Sequence, residues 1–513
     1  MAKRKKTMRS SHPVMFFIYI SILAIIISGI ASALNFQVTY DKLTTISGEV
    51  TTTTVAVNSL FSLDGLKFLL TSAYDNLVEF APFGTLLISS IALGIAINSG
   101  FLKVLFSKLN KKLPKFILVF IYSLICIISA VDNNVGYVIL LPIGALLFMT
   151  MNRNPIGGLA LGFSSIAAGQ GAGLFVTALD YNLSSYTEAS AKLLDSEYVV
   201  LQSSNLIFVI TASIIIASVF TFITEKILVR GLGRNQIEED EEFVLDEKDE
   251  KKGLLFAFVF TLILLIPIII MIIPSDSSEI VGLFLDKSQT EYSKMLFSSD
   301  AMFINNLVGI ISFILVIQGF VYGVVSGTIK KIRDLVVFST EYLKSVGGIF
   351  VLIFFASQLC AIVKETNLGT VITGFFATLI ATSNFSFLPL ILIVFIFTMV
   401  INLLVPGSVA KWSILAPNIM PTIMKANITP EFAQLVFRAG ESVTNCITPI
   451  FTFFVIFVGF VDIYTKNKND FGIKKCYKIV FPYFATIMLI WIIMLICWYI
   501  IGLPIGPGVY PAV

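Results

Sequence analysis

Apolar residues in this chain come in long runs with little of the polar alternation of soluble strands and helices. Runs near 14–34, 78–99, 156–182, 202–224, 253–273, 302–327, 347–363, 431–460 and 479–501 approach or exceed the roughly 20 residues a helix needs to cross a ~30 Å hydrocarbon layer. They predict about nine transmembrane helices. Two further apolar stretches, 116–151 and 388–424, are each interrupted at the middle, by VDNNVG (131–136) and by VPGSVAK (405–411). The interruptions leave arms of ~15 residues, about 22 Å of helix each, which reach mid-bilayer and turn back. Non-helical backbone at that depth is tolerated only against protein or a wet cavity, because each bare N–H or C=O facing lipid costs several kcal/mol. Both stretches therefore read as re-entrant hairpins whose tips line a cavity; a kinked ordinary helix is the competing reading of 388–424 taken alone.

The basic residues orient these elements. Lys and Arg cluster at 3–9, 103–115, 226–234, 330–333 and 466–478, whereas 35–75, 183–199 and 274–300 hold few, so the first set is expected on the cytoplasmic side. The N-terminus is then inside and the C-terminus outside. A single span over 116–151 would put Lys115 and Arg153 on opposite faces, while a hairpin keeps them together. The opening MAKRKKTMRSSHPV and the run after it imitate a signal peptide, with Ala31-Ser32-Ala33 as a cleavage-like site, but a run of spanning length followed by more spans favours a retained anchor. The chain divides into a basic N-terminus (1–13), a first transmembrane half (14–227), a charged cytoplasmic linker (228–252) and a second half (253–513). The acidic run in the linker reads as a solvated connector.

The halves repeat one another. A constant offset pairs Pro114 with Pro389, Pro142 with Pro417, Pro155 with Pro430 and Tyr137 with Trp412, and Asn98-Ser99-Gly100 matches Asn367-Leu368-Gly369 after a short loop adjustment. The pairs are collinear and bring the two hairpins into register. An odd number of spans separates the copies, so the second hairpin enters from outside and the first from inside. The expected fold is an all-α polytopic membrane protein with an inverted repeat, a pattern of secondary transporters whose sites lie at the midplane.

Composition agrees: 57% of the 513 residues are hydrophobic and 13% charged, far below the ~25% charged residues of soluble domains. A net charge of +3 with dispersed basic residues gives no nucleic-acid face. The single histidine, His12, precedes the first span, which excludes Ser/His dyads and His-ligated zinc proteases on this chain; no phosphate-binding loop motif occurs. An enzyme is not expected, nor any cofactor beyond a coupling ion, Na⁺ or H⁺; Na⁺ is the only metal considered. The five cysteines have no disulfide or metal spacing.

Ionisable groups in apolar segments are costly, so they are the informative positions. They are Asp132, Asp180, Lys364, Glu365, Lys411, Arg438 and Glu441. Asp180 ends IAAGQGAGLFVTALD, whose Gly169, Gly171 and Gly173 break a helix, and FRAGESVTNCITP (437–449) is the corresponding part of the second half. Half-helix N–H groups exposed by such breaks hold a carboxylate, while carbonyls with the oxygens of Asn133, Asn134, Thr444 and Asn445 hold a dehydrated Na⁺. Arg438 and Glu441, three apart, either pair with each other or serve separately as an anion-binding fork and a titratable or cation-binding acid. Trp412 either stacks on a ligand ring or packs; Lys411 either snorkels or pairs. A channel stays open as a second class.

HPVMFFIYISILAIIISG, FAPFGTLLISSIALGIAINSGFL, AKWSILAPNIMP and RAGESVTNCITP, in this order over nearly the whole chain, resemble the AbgT family of p-aminobenzoyl-glutamate transporters. The resemblance implies nine spans plus two hairpins in a bowl-shaped homodimer in the inner membrane of a bacterium, in contact with lipid. It further implies ion-gradient-driven import of p-aminobenzoyl-glutamate or export of sulfonamide antimetabolites; a dicarboxylate or fatty-acid carrier with related hairpins is the alternative in the same class. Carried over by position, the family's site falls on Asp180, Asn402, Trp412, Pro430, Arg438, Glu441 and Pro449. Ser408 at the second tip joins the substrate set (Asn402, Ser408, Trp412, Pro430, Arg438, Pro449), and the cation-coupling set is Asp180, Glu441, Asp132, Asn133, Asn134 and Asn445. The family usually has Asp where this chain has Glu441, Gly-Ser-Ala-Ser where it has Pro406-Gly407-Ser408-Val409, and Ser-Asp-Ala-Gly-Tyr where it has Asn133-Asn134-Val135-Gly136-Tyr137. The last departure removes a charge from the first tip, which Asp132 can supply.

Overall fold

The computed structural model describes residues 12–43, 50–234, 246–275, 278–298, 300–383, 385–405, 407–465 and 472–512. Much of the basic N-terminus, the centre of the charged linker and Pro406 of the second tip lie outside them. Among the described residues seven helices are long and apolar enough to cross a membrane: Pro13–Ala33, Ala81–Asn98, Leu206–Leu232, Glu247–Met271, Leu307–Ser326, Ile332–Glu365 and Ile473–Ile501. They cover seven of the nine apolar runs.

The other two runs are broken helices. The first comprises Pro155–Ala168 and Ala178–Ala191, the second Pro430–Thr444 and Phe454–Ile463. Pro155 and Pro430 both open their helices, where the missing N–H leaves no bond unmade. The glycines at the first break are there for contact. A Cβ on Gly169 would lie 2.5 Å from Ala130 of the first hairpin, and one on Gly171 would lie 2.8 Å from Trp491 and 3.0 Å from Ser442 Oγ. The break is thus wedged between the first hairpin tip and the second broken helix.

Both interrupted stretches fold back on themselves. The first has arms Lys115–Ile128 and Leu141–Thr150, the latter lengthened by a π-helical turn, Val135–Leu140. Its feet meet: Lys115 Nζ donates to the Met151 carbonyl at 2.9 Å. The second has arms Phe387–Asn402 and Ser408–Lys425, and its feet meet at Tyr499, whose ring stacks on Phe387 at 4.5 Å and whose hydroxyl donates to the Asn427 carbonyl at 3.2 Å.

The hairpins open toward opposite ends of the molecule. Helices Leu206–Ile223 and Ile473–Ile501 run antiparallel, since Thr224 Oγ1 lies 2.6 Å from Tyr483 Oη at one end and Phe208 packs on Trp498 at the other. The foot of the first hairpin is tied to the Thr224 end by a two-pronged ion pair of Arg153 with Glu225, at 2.5 and 2.8 Å, whereas Tyr499 holds the second at the other end. The order of elements also repeats. In each half a left-handed residue, Gly100 (φ 88°) or Asn367 (φ 55°), precedes a short helix, Phe101–Lys112 or Leu368–Ala381; a hairpin, a broken helix and a long helix follow.

Three features differ from the hydropathy pattern. An antiparallel β-hairpin, Gln37–Leu43 with Val50–Ala56, sits after the first helix; its Tyr40 crowds Gly374 and its Asp41 exchanges two hydrogen bonds with Asn418. Leu368–Ala381 is a helix in the segment 364–387, to which the hydropathy pattern assigned no element. Ile332–Glu365 runs 34 residues, well beyond the apolar run 347–363, because its polar first turns continue the helix past the apolar part.

Candidate functional site

The two tips and the two breaks converge on a cavity of about 360 Å³. Ala130, Val131 and Asn133 of the first tip, Gln170, Leu179 and Asn182 of the first broken helix, Asn402, Gly407, Ser408 and Val409 of the second tip, and Glu441, Asn445, Thr448 and Phe451 to Phe453 of the second broken helix line it. One wall is apolar and aromatic: Phe453 stacks on Tyr137 at 4.8 Å, with Phe451 at its edge. The lining also includes the start of helix Ser408–Lys425, whose cap, Gly407 at φ 92°, leaves the first turn without a side-chain cap. Its first N–H groups, which no helical carbonyl can reach, form the positive end of an 18-residue helix.

Behind this cavity lie two buried ion pairs, each joining different elements. Arg438 Nη1 donates to Asp180 Oδ1, and Arg438 Nε donates to the Gln170 carbonyl at 3.0 Å. Asp180 Oδ2 accepts from the Thr177 N–H and hydroxyl at 2.9 and 2.7 Å, in a capping box that starts Ala178–Ala191 just after the break. Lys411 Nζ pairs with the Glu441 carboxylate and also donates to Asn402 Oδ1. Asn402 Nδ2 donates to the Glu441 carbonyl, Thr444 Oγ1 and Asn445 Oδ1 at 3.0, 3.0 and 2.7 Å. Asp180, Arg438, Lys411 and Glu441 are 5, 3, 1 and 1% exposed, so removing any one leaves an uncompensated buried charge. Beyond Lys411, neither Glu441 oxygen accepts a hydrogen bond from the described residues.

The i,i+3 pairing of Arg438 with Glu441 does not occur; each finds its partner on another helix. Of the candidate substrate residues, Asn402 and Ser408 line the cavity. Trp412 does not. It is fully buried, its ring packs on Phe437 at 4.7 Å and its Nε1 donates to Thr187 at 2.8 Å. Pro430 starts its helix eight residues before Arg438, and Pro449 sits in the break beside the lining residue Thr448. Arg438 is engaged by Asp180 and Gln170. Of the candidate coupling residues, Glu441, Asn445 and Asn133 face the cavity. Asn133 Oδ1 accepts from Gln170 Nε2 at 2.8 Å, while Asp132 Oδ1 accepts from the Asn134 N–H and side chain two residues on. Sequence reasoning passed over Gln170, Asn182 and Thr448, and the pairing of Lys411 stood as one of two options. Gln170 sits among the three glycines and Asn182 two residues after Asp180, and both are polar groups at a helix break.

The sequence pattern described as the "AbgT putative transporter family" matches residues 7–513. The p-aminobenzoyl-glutamate transport protein of Escherichia coli (strain K12) is 28% identical over 500 residues, which is 98% of this chain and 94% of that protein. Among solved structures, the Alcanivorax borkumensis YdaH transporter is similar at a TM-score of 0.50 and 28% identity, over 97% of this chain and all of that one. Neisseria gonorrhoeae MtrF, described as illuminating a class of antimetabolite efflux pumps, gives 0.49 at 29% identity over 97% of each chain. A match this long, on a fold of apolar helices with paired charges at its centre, makes the chain a member of the AbgT family of transporters.

Proposed function

We propose that the protein is an ion-gradient-driven carrier of anions of the p-aminobenzoyl-glutamate type, or of related sulfonamide antifolates, with the cavity between the hairpin tips as its substrate site. The carrying observation is the convergence of both tips and both helix breaks on one cavity, within the ~300–1,000 Å³ range of small-molecule sites. The aromatic end of such a ligand lies on Phe451 and Phe453, and a carboxylate meets the uncapped N-terminus at Ser408. Asn133, Asn182 and Asn445 supply the remaining polar contacts. Glu441, which is acidic and lines the cavity, is the principal coupling group, with Asn402 and Asn445 beside it; Asp180 holds Arg438 and so couples the two halves. The carrier sits in the cell membrane as a homodimer, the first hairpin opening to the cytoplasm and the second to the outside.

In proteoliposomes, labelled p-aminobenzoyl-glutamate is expected to accumulate by counterflow against unlabelled ligand. Glu441→Gln is expected to abolish accumulation driven by an imposed Na⁺ or H⁺ gradient. An ion conductance without counterflow would make the protein a channel and overturn this reading.

A further inference from the structure

Lys411 is the one member of the two ion pairs whose partners, Glu441 and Asn402, both line the cavity while it does not. Glu441, Asn402 and Asn445 all line that space. Lys411 Nζ is held between the first two, and the Asn445 side-chain oxygen is reached through Asn402 Nδ2 at 2.7 Å. The ammonium group thus occupies the place a small cation arriving through the cavity would take. It touches a buried carboxylate whose oxygens accept no other hydrogen bond from the described residues, and the Asn402 amide oxygen. Carboxylate and amide oxygens without thiolate or imidazole suit a hard cation, and the single carboxylate balances a monovalent, alkali one. Lys411 also has somewhere to go. It lies in the first turn of Ser408–Lys425, where side chains lean toward the helix N-terminus, and Gly407, Ser408 and Val409 of that turn form the cavity wall.

We propose that Lys411 changes partners during transport: an alkali cation taken up by Glu441, Asn402 and Asn445 releases its ammonium group into the cavity, where it holds the carboxylate of the anionic substrate. This rests on the carrier reading above and gives its coupling a chemical form. Cation and anion then favour each other because one lysine cannot serve two carboxylates. With Glu441 free of Na⁺ the lysine neutralises the protein; with Na⁺ bound it neutralises the ligand. The other buried ion pair, Asp180 with Arg438, is closed on itself, and Asp132 of the first tip accepts from Asn134; neither takes part in the exchange.

The test uses purified full-length protein with NaCl or choline chloride at one pH and ionic strength. p-Aminobenzoyl-glutamate is expected to bind about tenfold or more tightly in Na⁺, and Na⁺ to bind more tightly with ligand by the same factor, since such coupling is reciprocal. Glu441→Gln is expected to bind ligand equally well in both salts, at the affinity the wild type shows in Na⁺, because Lys411 is already released. Lys411→Met is expected to bind it weakly in both. A Na⁺ dependence that survives in Lys411→Met or in Glu441→Gln would overturn the partner exchange, as would a dependence on pH alone with none on Na⁺. A measurement on the wild type needs neither variant nor ligand. Reductive methylation of Lys411, read by mass spectrometry, is expected to rise several-fold in NaCl over choline chloride, and equal labelling in the two salts would refute release. If methylation responds to Na⁺ but the ligand binds in neither salt, the substrate assignment fails and the lysine release stands.

Discussion

At the scale of single residues, the rule that ionisable groups in apolar segments carry function picked out Asp180, Lys411, Arg438 and Glu441 from the sequence. Their pairing was not legible there, because the i,i+3 rule sees only neighbours on one helix, while the real partners come from other elements, brought together by the breaks. Trp412 shows the opposite limit. Its place beside Lys411 leaves stacking on a ligand and ordinary packing equally open, and the structure has it packed against Phe437 and Thr187. The crossed pair Asp180–Arg438 is open to a double-mutant test. Asp180→Leu or Arg438→Met alone is expected to cost about 3–5 kcal/mol by stranding a buried charge, and the two together are expected to be more stable than either. Denaturation of the purified variants measures this; additive losses would mean that the two groups do not act as a pair.

At the scale of elements, the hairpins were legible because two physical limits agree: arms too short to cross, and polar backbone that lipid does not tolerate. The β-hairpin was not, since its seven-residue strands lie in a polar stretch without a hydrophobic contrast to mark them. Nor was the closeness of the helices. A Cβ on Gly158, in the first broken helix, would lie 2.1 Å from the Gly144 carbonyl oxygen in the returning arm of the first hairpin, a contact with backbone that cannot rotate away. Gly158→Ala is expected to destabilise the protein by about 1–3 kcal/mol by forcing the elements apart. Gly84→Ala, where nothing lies within 4 Å, is expected to be neutral or to stabilise by up to about 1 kcal/mol, as alanine does in a helix interior. Thermal unfolding in detergent compares the two; equal effects would contradict the close approach.

At the scale of the whole molecule, the repeat was legible in the spacing of prolines, of which Pro155 and Pro430 hold the same place and open the broken helix of each half, whereas Pro142 starts a helix and its partner Pro417 lies inside one. The orientation in the membrane is an expectation drawn from the basic residues and has its own test. Lys112, exposed at the end of the short helix before the first hairpin, and Lys425, exposed at the foot of the second, lie toward opposite ends. Single cysteines at these positions in a cysteine-free background are expected to react with an impermeant thiol reagent only from the cytoplasmic side for Lys112→Cys and only from outside for Lys425→Cys. Reaction from one face by both would refute the opposed hairpins in the membrane. The crossed ion pairs carry an electrical consequence at this scale. Two cations and two anions sum to zero, and moving one elementary charge through a membrane potential is worth about 2.3 kcal/mol per 100 mV. A carrier that turns these four groups together from one face to the other does no electrical work on them, so the membrane voltage acts on the cargo and leaves the returning machinery free to reset.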